Sequence, residues 1–315
     1  MSPDPQSAAL QSSTSASAPT SEVARWYAVR RPAASAVVGD PQGLRVAIQG
    51  EPGSFSHEAA LKLVPGAAVV PCSVSAEVFA ALTSGAVDAA AIPIENSLAG
   101  SVLEHFDLLL SHDVLVERET HLRIRHNLIA MPGIARDSIQ RVFSHPVALA
   151  QCKRYLAARP HMEPFAFYDT AGSVKQLVEL RDPHAAAIAS HAAAHFYGAE
   201  ILDAFIEDNP ENYTRFFLLR RASDAALDPA ANKLSLAFSL QNRPGSLVRA
   251  LTQLSALGTN LSKIESRPVH GKPWEYIFYV DCQIASPAEA DSAIAALQPL
   301  CPMLKVLGRY REIPE

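Results

Sequence analysis

At 315 residues the chain is long enough for two or three domains, and 49% hydrophobic residues give it material for a substantial core. A net charge of −5 provides no basic field, so neither nucleic acid nor an anionic membrane surface is an expected partner. Cys72, Cys152, Cys282 and Cys301 show neither metal-binding nor disulfide-framework spacing, which reads as free thiols in a reducing, cytoplasmic setting with no metal and no cofactor.

In chain order, residues 1–43 are rich in Ser, Ala and Pro without apolar periodicity. Such a stretch cannot offset its ordering entropy by burial, so a disordered tail is expected. Arg25, Arg30 and Arg31 hint at a transit peptide, but Asp4, Glu22 and Asp40 weigh against it, and the apolar centre of a secretory signal is missing. No later run approaches the roughly 18 to 20 apolar residues of a membrane span.

Leu44 to Gln49 reads as a short strand ended by the Gly50-Glu51-Pro52-Gly53-Ser54-Phe55-Ser56 loop, with a helix from about His57. Glycines let backbone approach a ligand, and free N–H groups at a helix start favour an anion. The loop lacks the lysine of a Walker loop and the three-glycine dinucleotide spacing. The construction returns at Pro93-Ile94-Glu95-Asn96-Ser97, where Asn96 or Ser97 could cap the following helix, and at Asp169-Thr170-Ala171-Gly172-Ser173. Val114 to Ala130, Ile139 to Pro146 and Ala185 to Ser190 supply further strands. Strands separated by helices predict α/β layers, and a chain crossing near 127 and returning near 212 would leave a cleft between two lobes.

Asn212-Tyr213-Thr214-Arg215-Phe216 opens an apolar run and adds a hydroxyl and a cation to this set. Read alone, it could be the entry to a buried strand with Arg215 reaching solvent. With the other strand ends it suggests a pocket for a small carboxylate-bearing molecule with an apolar ring. Ser144-His145 lacks the surroundings of a nucleophile and base, so His145 reads as a turn residue. His57, His105, His191 and His195 have no ligand spacing.

From Asn232 the pattern changes. An alternating strand at 233–240, the Asn242-Arg243-Pro244-Gly245-Ser246 turn, a helix, two strands joined by a 269–273 hairpin loop, a second helix and a last strand from Met303 to Tyr310 predict a βαββαβ, ferredoxin-like unit.

Taken in order, the 50–56 loop, Pro93 to Ser97, Asp169 to Ser173 and Asn212 to Phe216 resemble the motifs of the prephenate dehydratase family, over residues 44 to about 220. The resemblance implies a catalytic domain at 44–222 with two lobes, resembling type-2 periplasmic binding proteins. It implies prephenate as substrate, losing its ring hydroxyl and carboxylate to give phenylpyruvate, water and CO2. Thr214 matches the catalytic threonine. Arg215 would bind a carboxylate or orient Thr214, Phe216 would wall the ring, and Ser54, Glu95, Asn96, Ser97, Thr170, Ala171, Ser173 and Asn212 would hold the substrate.

Residues 232–311 resemble the ACT domain, which implies phenylalanine as regulator and a homodimer or homotetramer. Gly245-Ser246-Leu247-Val248, with Asn242 before it, and Glu265-Ser266-Arg267-Pro268 match its motifs, with Ser246 where the family carries Ala. Rival readings are an arogenate dehydratase and an amino-acid sensor without catalysis.

Overall fold

The period-2 pattern of the first strand decides how the first lobe packs. The computed structural model describes residues 43–226, 228–269, 271 and 274–314; the expected tail, apart from residue 43, and most of the 269–273 loop lie outside the described residues. Strands β1 (Arg45–Gln49), β2 (Ala68–Cys72) and β3 (Ala89–Asn96) are parallel, and β11 (Tyr213–Arg221) and β5 (Val114–Arg123) extend them antiparallel in the order β2-β1-β3-β11-β5. Val46, Ile48, Ala89, Ala91, Phe216 and Leu218 pack with α1 (Phe55–Leu63). Ala47, Ala90, Ile92, Phe217 and Leu219 pack with α2 (Ser75–Thr83) and α3 (Leu103–Ser111). With both faces covered, apolar residues run on without a polar alternate, as in β3. β2 and α2 were not among the sequence expectations.

Two helix starts differ from those expected, and a third carries its own cap. α1 begins at Phe55, two residues early, because the Ser54 hydroxyl accepts from the His57 N–H at 3.3 Å. Neither Asn96 nor Ser97 caps α3: a turn and a two-residue strand, β4 (Gly100–Ser101), intervene, and Val102 at the cap position makes no side-chain cap bond. α6 (Thr170–Leu180) is capped by Asp169, whose Oδ1 accepts from the Gly172 N–H at 2.7 Å.

The second lobe is a sheet of β6 (Asn127–Ala130), β7 (Arg141–Ser144), β8 (Glu163–Ala166), β9 (Ala185–Ala189) and β10 (Glu200–Asp203), ordered β10-β6-β9-β7-β8. Helices α4 (Pro146–Gln151), α5 (Lys153–Ala157), α6 and α7 (His191–Tyr197) complete it. The chain leaves the first lobe after β5 and returns at β11. The Ile124 N–H donates to the Asn212 carbonyl at 2.7 Å, so the two crossings lie side by side. This is the two-lobed α/β plan the sequence predicted.

The remainder is β12 (Lys233–Ser239), α8 (Ser246–Ala256), β13 (Asn260–Pro268), β14 (Tyr276–Gln283), α9 (Pro287–Leu297) and β15 (Met303–Ile313), the expected βαββαβ order. Its two helices share a core with Leu234, Leu236, Phe238, Val280 and Cys282. It is not a separate sheet. β15 pairs parallel with β5, so a single sheet runs β13-β14-β12-β15-β5-β11-β3-β1-β2, with β4 on β3. Gly308 permits this, since a Cβ there would stand 2.4 Å from the Val116 carbonyl oxygen. β11 and β14 are four strand spacings apart, about 19 Å in a flat sheet. Yet Arg215 on β11 bonds Asp281 on β14, so the sheet curls back over β11.

Candidate active site

A cleft of about 340 Å³ is lined by residues of both lobes. Ser54, Phe55 and Ser56 stand at the start of α1 and Asp169 and Thr170 at the start of α6, while Pro93, Asn96, Thr214 and Phe216 come from β3 and β11. Two helix N-termini thus meet an apolar wall that includes Val102, Ile124 and Val147. A helix start favours a carboxylate, here at α1 rather than at α6, where the Asp169 carboxyl already takes the Gly172 N–H, and the wall favours a ring.

The strand pleat sends Thr214 and Phe216 to the cleft side and Arg215 to the other. Asn96 organises the Thr214 corner. Its Nδ2 donates to Thr214 Oγ1 at 2.9 Å, to Asn212 Oδ1 at 2.8 Å and to the Tyr213 carbonyl at 3.1 Å. Its Oδ1 accepts from the N–H groups of Leu98 and Ala99. Because Thr214 Oγ1 receives a bond from Asn96, its own proton remains available to an acceptor in the cleft.

Arg215 is neither solvated nor in the cleft, which corrects both the snorkelling reading and the expectation that it could meet a substrate carboxylate. It is 7% exposed, with its guanidinium bonded to Asp281 and Glu119 at 2.5 Å each and to the Tyr310 hydroxyl at 3.1 Å, above the Phe217 ring. Burial alone would lower the Arg215 pKa, but Asp281, Tyr310 and Glu119 raise it above its ordinary value. Lys233 bonds Glu119 as well, and Glu312. Glu119, His121 and Glu312 could together hold an ion, but Arg215 and Lys233 already neutralise their carboxylates.

The other expected residues divide. Ser54, Asn96 and Thr170 line the cleft. Ala171, Ser173 and Asn212 are buried one step behind it, and Ser97 is exposed and does not line it. The Ser97 hydroxyl donates to the Glu211 carbonyl and accepts from the Tyr213 N–H, and the Ser173 hydroxyl donates to the Thr170 carbonyl at 2.5 Å. Ala171 and Asn212 are fully buried. Glu95 is not a cleft residue: it pairs with Lys263 at 2.8 Å and lies 3.9 Å from Arg215.

Among the residues lining the cleft, sequence reading missed Gln49, His126, Gln151 and the lining role of Asp169. His126 Nε2 meets Gln151 Oε1 at 2.9 Å, and burial lowers the pKa of this imidazole. Burial also pushes the Asp169 carboxyl up to about 6. His145 caps α4, accepting from the Val147 N–H at 3.3 Å, while also lining the cleft. The Ser144 hydroxyl donates to the Ile188 carbonyl at 2.5 Å and is engaged there. The chain crossing at His126 was a signal for that residue; Gln151 carried none.

In the βαββαβ unit, Asn242 is exposed, and Gly245 takes a left-handed φ of 79° before Ser246 and Leu247 open α8. Ser266 is exposed on β13, whereas Glu265 and Arg267 face the first lobe. The Ser101 hydroxyl donates to Glu265 at 2.8 Å, and Arg267 pairs with Asp107 at 2.6 Å.

Three comparisons with known proteins cover this framework. The sequence model of a family described as prephenate dehydratase matches residues 46–224. A protein of Arabidopsis thaliana named arogenate dehydratase/prephenate dehydratase 2, chloroplastic, is 39% identical over 286 residues, 87% of this chain and 74% of its own. A solved prephenate dehydratase of Arthrobacter aurescens in complex with L-Phe is 32% identical with a TM-score of 0.77, covering 85% of this chain and 90% of that one. A solved structure described as GqqA, a novel type of quorum-quenching acylase, is 30% identical with a TM-score of 0.78, covering 85% and 98%.

Proposed function

Because the chain belongs to the prephenate dehydratase family, and is thus a dehydratase acting on a carbon–oxygen bond, we propose that it converts prephenate to phenylpyruvate, water and CO2. The observation that carries the proposal is the Thr214 corner: a hydroxyl in the cleft, bonded by the Asn96 amide, beside the Phe216 ring. Cleavage of the ring C–O bond releases hydroxide, and cleavage of the ring C–carboxylate bond releases CO2 and leaves its electron pair in the ring, which becomes aromatic. One proton is taken up to make water. Aromatisation supplies the driving force, so binding and one well-placed donor are what the protein must provide.

Thr214 is that donor. A threonine is a weak acid, so its hydrogen bond to the departing oxygen stabilises developing hydroxide, and Asn96 in turn stabilises negative charge on Oγ1. The start of α1, with the hydroxyls of Ser54 and Thr170, binds the carboxylates. Thr214→Val keeps the shape but removes the donor, and kcat is expected to fall by about 10²- to 10³-fold with a small change in KM. An unchanged kcat would remove Thr214 from the mechanism.

Arogenate is the second reading, favoured by the names of the curated relatives, several of which are called arogenate dehydratase. Parallel assays of phenylpyruvate from prephenate and phenylalanine from arogenate decide between the two; a protein inactive on both would overturn the proposal.

We extend the proposal to residues 232–311 as an ACT-type regulatory domain binding phenylalanine in a homodimer or homotetramer. It is supported by the βαββαβ order, by the left-handed Gly245 at the start of α8 and by the relative described in complex with L-Phe. Glu265 and Arg267 would carry an effector's influence to Ser101, a cleft residue, and to α3. The same assays with added phenylalanine test this, and no change in rate or melting temperature would sink it. Four unpaired thiols support a reducing compartment. Among the described residues, no helix is long and apolar enough to cross a membrane.

A further inference from the structure

Strand β11 is held unevenly where it carries Thr214. Its pairing with β3 slips between Arg215 and Phe216, and Pro93, opposite Phe216, has no N–H to give. The ladder is therefore interrupted on the side from which Asn96 reaches Thr214. On the opposite face, the next residue is anchored with unusual rigour. The flat guanidinium of Arg215 spans two carboxylates, Glu119 on β5 and Asp281 on β14, with Phe217 packed beneath it. Asp281 has no freedom of its own, since its second oxygen accepts from the Ser235 hydroxyl at 2.5 Å and Ser235 also meets Tyr310 at 2.7 Å. All of these groups are buried, where such bonds are little weakened by solvent.

From this geometry we infer that Asp281, which lies outside the two lobes and does not line the cleft, is a positioning residue for the reaction. Through Arg215 it fixes the roll of β11 and thereby the direction in which Thr214 presents its hydroxyl. Lysine at 215 could not reproduce this, because one ammonium cannot reach both carboxylates in a set plane. The inference rests on the reading of Thr214 as the donor.

The test compares the full-length protein with its Asp281→Asn, Ser235→Ala, Arg215→Lys, Asp281→Asn/Arg215→Lys and Thr214→Val variants, measuring kcat and KM for prephenate and the melting temperature. Asp281→Asn is expected to lower kcat about 10- to 100-fold, as a displacement near 1 Å does, with KM within about twofold. The double variant is expected to lose no more than the worse single one, because both changes release the same anchor. Ser235→Ala should lose less in the same direction, and it carries the test if Asp281→Asn does not fold. Leu297→Ala, at the end of α9 where it packs into the core of that unit, should lower the melting temperature and leave kcat unchanged, separating positioning from stability. Unchanged kcat in folded Asp281→Asn or Ser235→Ala, losses that multiply in the double variant, or an equal kcat loss in Leu297→Ala would overturn the inference. If Thr214→Val itself retains full turnover, the donor reading falls, a distinct result from an inactive Thr214→Val beside a fully active Asp281→Asn.

Discussion

The first lobe makes two contacts of opposite character. Toward the second lobe it offers single, separable bonds: Ser190 to the Gly53 carbonyl at 2.7 Å, Tyr168 to Glu51 at 2.9 Å and Lys175 to Glu51 at 3.2 Å. Toward the βαββαβ unit it shares a continuous sheet and a buried set of charges. The groups of the first contact can be returned to water when the lobes part. Parting the second would break the buried Arg215–Asp281 and Lys233–Glu119 bonds together with the β5–β15 ladder. A cleft that must admit a substrate is thus backed by a seam that does not yield.

The largest test of that contrast is Glu119→Gln. Glu119 is fully buried and serves both Arg215 and Lys233, so its loss is expected to destabilise the protein by about 3–5 kcal/mol in denaturant titration. A loss below about 1 kcal/mol, the scale of an exposed pair, would mean that water reaches the seam. Gly53→Ala probes the other side with a smaller change. Its Cβ would lie 2.8 Å from Ala193 Cα, at a φ of 83°. Stability should fall by about 1–3 kcal/mol while KM rises, since the lobes can answer the clash by separating. If KM does not move, closure on the second lobe has no part in substrate binding.

Asp169→Asn gives the smallest effect, a change of slope. Asn keeps the helix cap but does not titrate here. Burial raises the Asp169 carboxyl to about 6 from its ordinary 3.8, so the folded protein holds this proton more tightly than the unfolded chain. Its contribution to stability is therefore present below about pH 4 and lost as pH rises toward 6. The melting temperature of the wild type relative to the variant should decline across that interval. A flat difference would show that the carboxyl is not enclosed between Gly50 and α6.

Much of the cleft was legible in short motifs, because Ser54, Asn96, Thr170 and Thr214 sit where strands end and helices begin, and such places announce themselves by residue type. Period-2 alternation in β11 already separated Arg215 from Thr214 and Phe216; the attraction of a lone cation for a carboxylate substrate hid it. Glu95 was misread similarly, because its partner Lys263 lies in a different part of the chain. Ala171, Ser173 and Asn212 carry the motif's packing behind the cleft, which residue type does not distinguish from contact. His126 and Gln151 reach the cleft from a chain crossing and the end of α4, and only the fold brings them together. The fusion of the two sheets had no local signal at all beyond Gly308.

That fusion also sets an order of assembly. Val116 on β5 pairs with Gly308 on β15, 308 − 116 = 192 residues later. As the chain emerges during synthesis, β5 has one open edge until β11 arrives and the other until β15 does. An exposed strand edge is a template for wrong pairing, and closing so long a loop is slow. The first lobe therefore depends for its completion on the last strand, and a chain interrupted before Met303 would expose that edge to aggregation although every cleft residue is present.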